Sequence, residues 1–232
     1  MLSIVSTPIG NLGDITLRAV ETLKACDCIV CEDTRVTGSL LKALDIPKKE
    51  LISCHGYSDD RKIDMIIGRL EKGQHLALVS DAGTPCISDP GYKLINRIAA
   101  APITNHQSPI TIEVIPGPSA FLAALSASGL PINQFLYIGF PPLKKGRKTL
   151  FQSFVQEERT IVLYESVHRI EKTLGEIAEA LVSQPDRPIV IGRELTKLHE
   201  EVVRTTVASL QEAALCIMKK GEFVIVIGPN RG

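Results

Sequence analysis

The first half of the chain repeats one pattern: a short apolar run, a polar or glycine-rich turn, then apolar residues at helical spacing. The runs at residues 2–5, 28–31, 51–54, 76–79 and 112–115 predict strands. Between them Leu17/Val20/Leu23, Leu40/Leu41/Leu44, Ile63/Ile66/Ile67/Leu70 and Leu94/Ile95/Ile98 predict amphipathic helices, with Pro47 and Gly73 where helices should stop. This alternation implies a mainly parallel sheet with helices on both faces. Around Pro116-Gly117-Pro118-Ser119 the chain turns hard and opens a helix of small residues over 120–128. After Gly129-Leu130-Pro131 a second set follows, with strands expected at 135–138, 160–164, 189–191, 202–205 and 223–227. Helices are expected near 148–155, 170–181 and 210–218. The expected fold class is α/β, built as two α/β domains over residues 1–117 and 118–232.

Composition narrows the function. The 26 basic and 26 acidic side chains cancel, so no global field attracts a polyanion and any nucleic-acid contact needs a local patch. There is no Trp and aromatic residues are few, which disfavours an extended base-stacking platform. The start, Met1-Leu2-Ser3-Ile4-Val5, lacks a basic n-region, and no apolar run nears the ~20 residues that span a bilayer, so a cytoplasmic protein without membrane contact is expected. Six cysteines in that setting read as reduced thiols. Cys28 and Cys31 fall on opposite faces of a strand, and no second His/Cys pair completes a tetrahedral set, so no metal is expected.

The chemistry gathers in the turns. Residues 80–91, Ser80-Asp81-Ala82-Gly83-Thr84-Pro85-Cys86-Ile87-Ser88-Asp89-Pro90-Gly91, combine two Gly, two Pro and two Asp directly after a buried strand. Such a loop exposes backbone N–H and C=O groups at the strand's carboxyl end, where open α/β sheets hold small ligands. Asp89-Pro90 reads as the N-cap and first residue of the next helix. The first strand leads into Thr7-Pro8-Ile9-Gly10-Asn11-Leu12-Gly13; the first Gly of a dinucleotide fingerprint is missing, which leaves a tight ligand-approach loop. The second leads into Glu32-Asp33-Thr34-Arg35, which fits either a polar-substrate site or a structural ion pair. The fifth leads into 114–120. All four loops leave one edge of the predicted sheet.

Two further clusters lie in the second half. Residues 164–169, Tyr164-Glu165-Ser166-Val167-His168-Arg169, follow a strand, and residues 193–201 are dense in acid–base groups. Taken alone, His168 and His199 read as ordinary surface histidines. Lys144-Lys145-Gly146-Arg147-Lys148 is the one concentrated basic stretch, and no acid occurs between Phe135 and Gln156 to neutralise it locally. It reads as the one phosphate-binding patch, with Arg35, Arg169 and Arg193 as the alternative footprint.

Residues 6–16, Glu32–Arg35 (Glu-Asp-Thr-Arg), 80–91, 116–120, Tyr164-Glu165-Ser166 with His168-Arg169-Ile170, and 193–201 occur together in this order. In them the chain closely resembles the ribosomal RNA small-subunit methyltransferases of the tetrapyrrole-methylase superfamily, also called class III methyltransferases. The resemblance spans the whole chain. It implies a homodimer, S-adenosyl-L-methionine as donor bound in a cleft between the two domains, and 16S rRNA within the small ribosomal subunit as acceptor. The implied reaction is 2′-O-methylation of a decoding-region cytidine. By position, Ile9, Gly83, Thr84, Ile87, Ser119, Ala120 and Glu165 look like the donor-contacting set, largely through backbone groups. Glu194, Lys197, His199 and Glu200, with Asp33 and Arg35, form the implied substrate side, where an acid or His199 would accept the proton.

Val167 stands where many members carry Pro, Gly83-Thr84-Pro85 where the superfamily usually shows Gly-Asp-Pro, and His55-Gly56-Tyr57 receives no role. Two rival readings remain: a methylase of a tetrapyrrole or other small acceptor, and a non-catalytic S-adenosylmethionine-binding ribosome-assembly module.

Overall fold

The computed structural model describes residues 1–54, 59–89, 91–100 and 110–230. The chain divides into two compact units, Met1–Ser119 and Ala120–Gly232.

In the N-terminal unit five strands, β1 (Leu2–Val5), β2 (Cys28–Cys31), β3 (Glu50–Ser53), β4 (Leu76–Leu78) and β5 (Ile112–Ile115), form a sheet in the order β3-β2-β4-β1-β5. Every pairing is parallel. Parallel neighbours need long crossovers, and the described ones are α1 (Leu17–Ala25), α2 (Thr34–Ala43), α3 (Asp60–Glu71) and α4 (Tyr92–Ala99). Strand side chains alternate between two cores. Leu2, Cys28, Val30, Leu76 and Leu78 pack with Ile63, Ile66 and Leu70 of α3 and Leu94 and Ile98 of α4. Val5, Ile29, Cys31 and Ala77 pack on the other face with Ala19 and Leu23 of α1 and Leu41 of α2. Cys28 and Cys31 therefore face opposite cores, and all six cysteines are free thiols.

Two helix starts follow simple capping chemistry, each worth about 1 kcal/mol. Thr16 accepts from the Ala19 N–H before α1, and Asp59 accepts from the Lys62 N–H before α3. The expected Asp89-Pro90 cap is corrected. Helix α4 begins at Tyr92, with Gly91 at the N-cap position, φ 126°, and no side-chain cap. The loop presses so closely on β4 that a Cβ at Gly91 would lie 2.9 Å from Cys86 Sγ and 3.1 Å from Leu78 Cδ2. Glycine is needed where a polar cap would otherwise stand. Pro90 and residues 55–57 lie outside the described residues.

The C-terminal unit opens with α5 (Ala120–Ser128) and holds β6 (Phe135–Gly139), β7 (Thr160–Ser166), β8 (Pro188–Arg193), β9 (Glu201–Thr206) and β10 (Glu222–Ile227) in the order β6-β7-β10-β8-β9. Only β6 and β7 are parallel; the other pairings are antiparallel. Helices α6 (Arg147–Ser153), α7 (Ile170–Ala180) and α8 (Leu210–Cys216) cover one face, burying Phe151, Leu174, Ile177 and Leu210 against Ile161, Leu163, Ile191 and Ile225. The small residues of α5 cover the other, where Ala124 and Leu125 pack on Val162, Val190, Val224 and Val226.

Candidate active site

In the N-terminal sheet the connections switch faces between several neighbouring strands, β1 and β4 among them. Strands β1 and β4 are neighbours, yet the helices that follow them go to opposite faces of the sheet. The carboxyl ends of strands at such a switch are where open α/β sheets hold ligands. The two loops are joined there by a backbone bridge: Thr7 N donates to Gly83 O at 2.9 Å and Gly83 N to Thr7 O at 3.1 Å. Hydroxyls complete the stitching. Thr7 Oγ1 donates to Ser80 O at 3.2 Å, Thr84 Oγ1 donates to Pro118 O at 3.3 Å, and Ser6 Oγ lies 3.0 Å from Thr84 Oγ1. The loops after β1, β4 and β5 thus form one assembly.

Gly83 adopts φ +82°, and a Cβ there would meet Ile9 Cγ2 at 3.4 Å and Pro118 O at 3.7 Å. Cys86 and Ser88 also take positive φ, 72° and 61°, although neither is glycine. Strained backbone of this kind persists only when its surroundings hold it. Of the expected donor-contacting residues, Ile9, Gly83, Thr84 and Ser119 lie in these joined loops, and Ile87 stands 38 % exposed in the same segment.

The loop after β2 is joined as well, since Asp33 N donates to Asp81 Oδ1 at 3.1 Å. Asp33 caps α2 and accepts from Arg35 N at 2.8 Å, while Arg35 Nη2 reaches its Oδ2 at 2.5 Å. The Arg35 side-chain and backbone bonds hold the Asp33 carboxyl at about 2, well below the usual carboxylate range. Asp33 is thus a fixed anion. The Arg35 side chain is 89 % exposed.

Residues 193–201 form a compact turn between β8 and β9. Glu194 and Thr196 take left-handed φ values of 49° and 67°. Lys197 Nζ donates to Glu194 Oε1 and to Glu222 Oε2, both at 2.9 Å, and Glu194 Oε1 also accepts from Glu222 N at 3.0 Å. Burial pushes the Glu194 carboxyl up, but its bonds from Lys197 and Glu222 outweigh this and leave it below its ordinary value. Burial likewise pulls the Lys197 ammonium down, and its two carboxylate partners more than restore it. Both groups are held charged. Glu200 Oε2 accepts from Thr196 N at 2.5 Å, while the exposed imidazole of His199 makes no hydrogen bond among the described residues.

Arg193 is buried beneath this turn. It donates to Lys220 O at 2.9 Å and His199 O at 2.8 Å, so it is a clamp rather than a surface cation. The sequence reading missed Glu222, Lys197's second partner, because it lies 25 residues further on. It also missed Tyr164 Oη, which accepts from Phe121 N at 3.1 Å near the start of α5. Ala120 opens that helix.

The expected basic patch needs a correction. Arg147 is only 5 % exposed; its Nε donates to Glu176 Oε2 and its Nη2 to Thr173 Oγ1, both at 2.6 Å. Acids distant in sequence neutralise it, which a local count of acids misses. Arg169 is paired with Glu165 at 2.8 Å. Lys144, Lys145 and Lys148 remain exposed. Glu165 is buried, with its carboxylate taken up by Arg169, Thr173 and the Ser166 N–H, so any donor contact at this position falls to its backbone.

Comparison with known proteins shows the family and the fold. Residues 1–211 match the family described as Tetrapyrrole (Corrin/Porphyrin) Methylases. The chain belongs to that family. Its fold is also that of cobalt precorrin-4 methyltransferase, with TM-score 0.69, 20 % identity, and coverage of 98 % of this chain and 94 % of the other. A uroporphyrin-III C-methyltransferase from Thermus thermophilus, complexed with S-adenosylhomocysteine, matches at TM-score 0.64 and 18 % identity over 97 % of this chain and 96 % of its own.

Within the family the chain groups with proteins named ribosomal RNA small subunit methyltransferase I. The protein of that name from Mesorhizobium japonicum is 44 % identical over 98 % of this chain and 75 % of its own length. That from Escherichia coli O157:H7 is 42 % identical over 97 % and 77 %, and that from Thermotoga maritima 42 % over 97 % of both.

Proposed function

We propose that the chain transfers a methyl group from S-adenosyl-L-methionine to the ribose 2′-hydroxyl of a decoding-region cytidine in 16S rRNA, acting on the small ribosomal subunit as a cytoplasmic homodimer. The joined loops at the carboxyl ends of β1, β4 and β5 carry the reading. Their bridge, hydroxyl bonds and positive-φ backbone provide a crevice in which Gly83 keeps clear the volume that a Cβ would fill. These residues fit a nucleoside-bearing donor held mainly through backbone groups. The names of the relatives supply the rRNA acceptor.

S-adenosylmethionine, when bound, supplies a methyl group already activated on a sulfonium. The protein's remaining work is to hold donor and ribose in line and exclude water. A thiol relay is not needed, and the thiols are poorly suited to one. Burial pushes Cys26, Cys31 and Cys86 up and Cys28 to about 11, which disfavours the nucleophilic thiolate. In our assignment Ile9, Gly83, Thr84, Ile87, Ser119, Ala120 and the Glu165 backbone hold the donor. Lys197 and Arg35 orient phosphate or ribose. Asp33 and Glu194 are anions fixed by cations, so His199 is the favoured proton acceptor, with Glu200 beside it in sequence.

The test is incubation of the protein with labelled donor and purified small subunits, followed by nucleoside analysis. A 2′-O-methylated cytidine supports the reading. Label on a base rejects the acceptor atom but keeps the enzyme class. Label on a tetrapyrrole supports the small-acceptor rival, and donor binding without transfer supports an assembly module. Alanine variants of Asp33, Arg35, Glu194, Lys197, His199 and Glu200 should lose turnover while keeping donor affinity. Full activity in all six would move the site elsewhere.

A further inference from the structure

Two arginines and a carboxylate converge behind the consecutive prolines Pro141 and Pro142, which lead into the bend and turn of residues 143–146. Glu165, at the end of β7, has no exposed side-chain surface. Arg169 Nη2 pairs with Glu165 Oε1 at 2.8 Å, and its Nη1 donates to Pro141 O at 3.1 Å. Arg147 Nη1 lies 3.8 Å from Glu165 Oε2 and donates to Pro142 O at 3.1 Å. Thr173 Oγ1 donates to Glu165 Oε2 at 2.6 Å, and the Arg147 guanidinium stands 4.8 Å from the centre of the Phe151 ring. Proline has no N–H, so a Pro-Pro step has no backbone donors of its own with which to fix a turn. Here two successive carbonyls are each taken by a separate guanidinium: Arg169 is anchored on Glu165, and Arg147 on Glu176 at 2.6 Å with Glu165 3.8 Å away.

This scaffold supports an unusual surface. Phe140, just before the prolines, is 52 % exposed and rests on Tyr164 with ring centres 5.5 Å apart. Leu143 is 73 % exposed, and Lys144 and Lys145 follow it into solvent. Among the described residues no ion pair reaches Lys144, Lys145 or Lys148. Uncompensated cations beside an exposed aromatic ring are the combination that holds an unpaired nucleic-acid strand: cations on phosphates, the ring on a base. A turn fixed in advance loses little freedom when such a strand arrives.

We propose that residues 140–145 form a pre-shaped docking finger for single-stranded RNA, with Arg147 and Arg169 as positioning residues that never touch the RNA. Lys144 and Lys145 meet phosphates, and Phe140 offers its exposed side to a base. The proposal rests on the rRNA reading above and assigns the part of the chain that grips the strand.

Binding of purified small subunits, measured across a range of KCl concentrations, tests it. Arg147→Lys and Arg169→Lys keep a positive charge toward Glu165 but cannot also reach the proline carbonyls. Each should weaken subunit binding by about threefold to tenfold while leaving the salt slope unchanged, since no phosphate contact is lost. The double variant Lys144→Gln/Lys145→Gln should reduce the slope by about two, and Phe140→Leu should weaken binding about tenfold at unchanged slope.

Thermal melting and donor titration confirm that each variant is folded. Should Arg147→Lys not fold, the more exposed Arg169→Lys carries the positioning test. Arginine variants that melt earlier but bind subunits like wild type would overturn the positioning role. An unchanged salt slope in the lysine variant would overturn the phosphate contacts. Wild-type protein that binds no subunit would overturn the rRNA reading and the finger with it, whereas wild-type binding with unaffected variants overturns the finger alone.

Discussion

The N-terminal and C-terminal units build their candidate sites from different materials. In the first, parallel strands deliver four loops to one edge, and the loops are joined by backbone bonds, hydroxyls and a glycine at φ +82°. In the second, the turns around mostly antiparallel strands are held by side-chain charge. Arg193 clamps two carbonyls, Lys197 bridges two carboxylates, and Arg147 and Arg169 share Glu165. A backbone-built site tolerates changes of side chain but not of loop shape. A charge-built site keeps its shape only while each partner remains ionised and present.

The sharpest way to break this comparison is Gly83→Val. The variant forces a β-branched residue into left-handed backbone and places its Cβ against Ile9. Donor affinity measured by calorimetric titration should fall about 100-fold or more, roughly 3 kcal/mol, with the fold retained. Unchanged affinity would remove this loop from the donor site.

The corresponding change in the C-terminal unit is Lys197→Met, which takes from Glu194 the cation that stabilises its charge. We expect methyl transfer to drop about tenfold and stability by about 1 kcal/mol, with donor affinity intact. A parallel loss of donor affinity would show that the two sites are not separable in this way.

Acid gives a graded test of the charge-built unit. Bonds from Arg159 hold the Glu157 carboxyl at about 2, below its ordinary 4.5. A carboxylate depressed in the folded state contributes stability above its unfolded pKa and loses it as pH falls from 4.5 toward 2. Glu157→Gln should lower stability at pH 7 by about 0.5–1 kcal/mol and flatten the acid limb of a melting-temperature profile over that window. An unaltered acid limb would rule out this pair as a source of acid sensitivity.

The smallest effect belongs to Thr84→Ala, which removes the hydroxyl bonded to Pro118 and Ser6 but leaves the Gly83 backbone in place. Donor affinity should fall only about threefold, below 1 kcal/mol. A loss as large as that of Gly83→Val would mean that side chains, not backbone, make the site.

The alternation of apolar runs and helical spacing was enough to locate the strands, the small-residue helix Ala120–Ser128 and the loops that share one sheet edge, because burial imposes periods of two and 3.6 on any chain that forms these elements. It was also enough to place Gly83 in a sharp turn, whose φ of +82° the structure then showed. Tertiary structure alone decided which charged residues are free. Arg147 looked like part of an unneutralised basic run until Glu176, 29 residues away, and buried Glu165 met it. Lys197 acquired Glu222 across 25 residues, and Gly91 displaced the expected Asp89 cap because β4 lies too close for a side chain. Local spacing reports which face a residue occupies. The partner that satisfies a buried charge comes from another element brought near by the fold, and no short-range pattern encodes that distance.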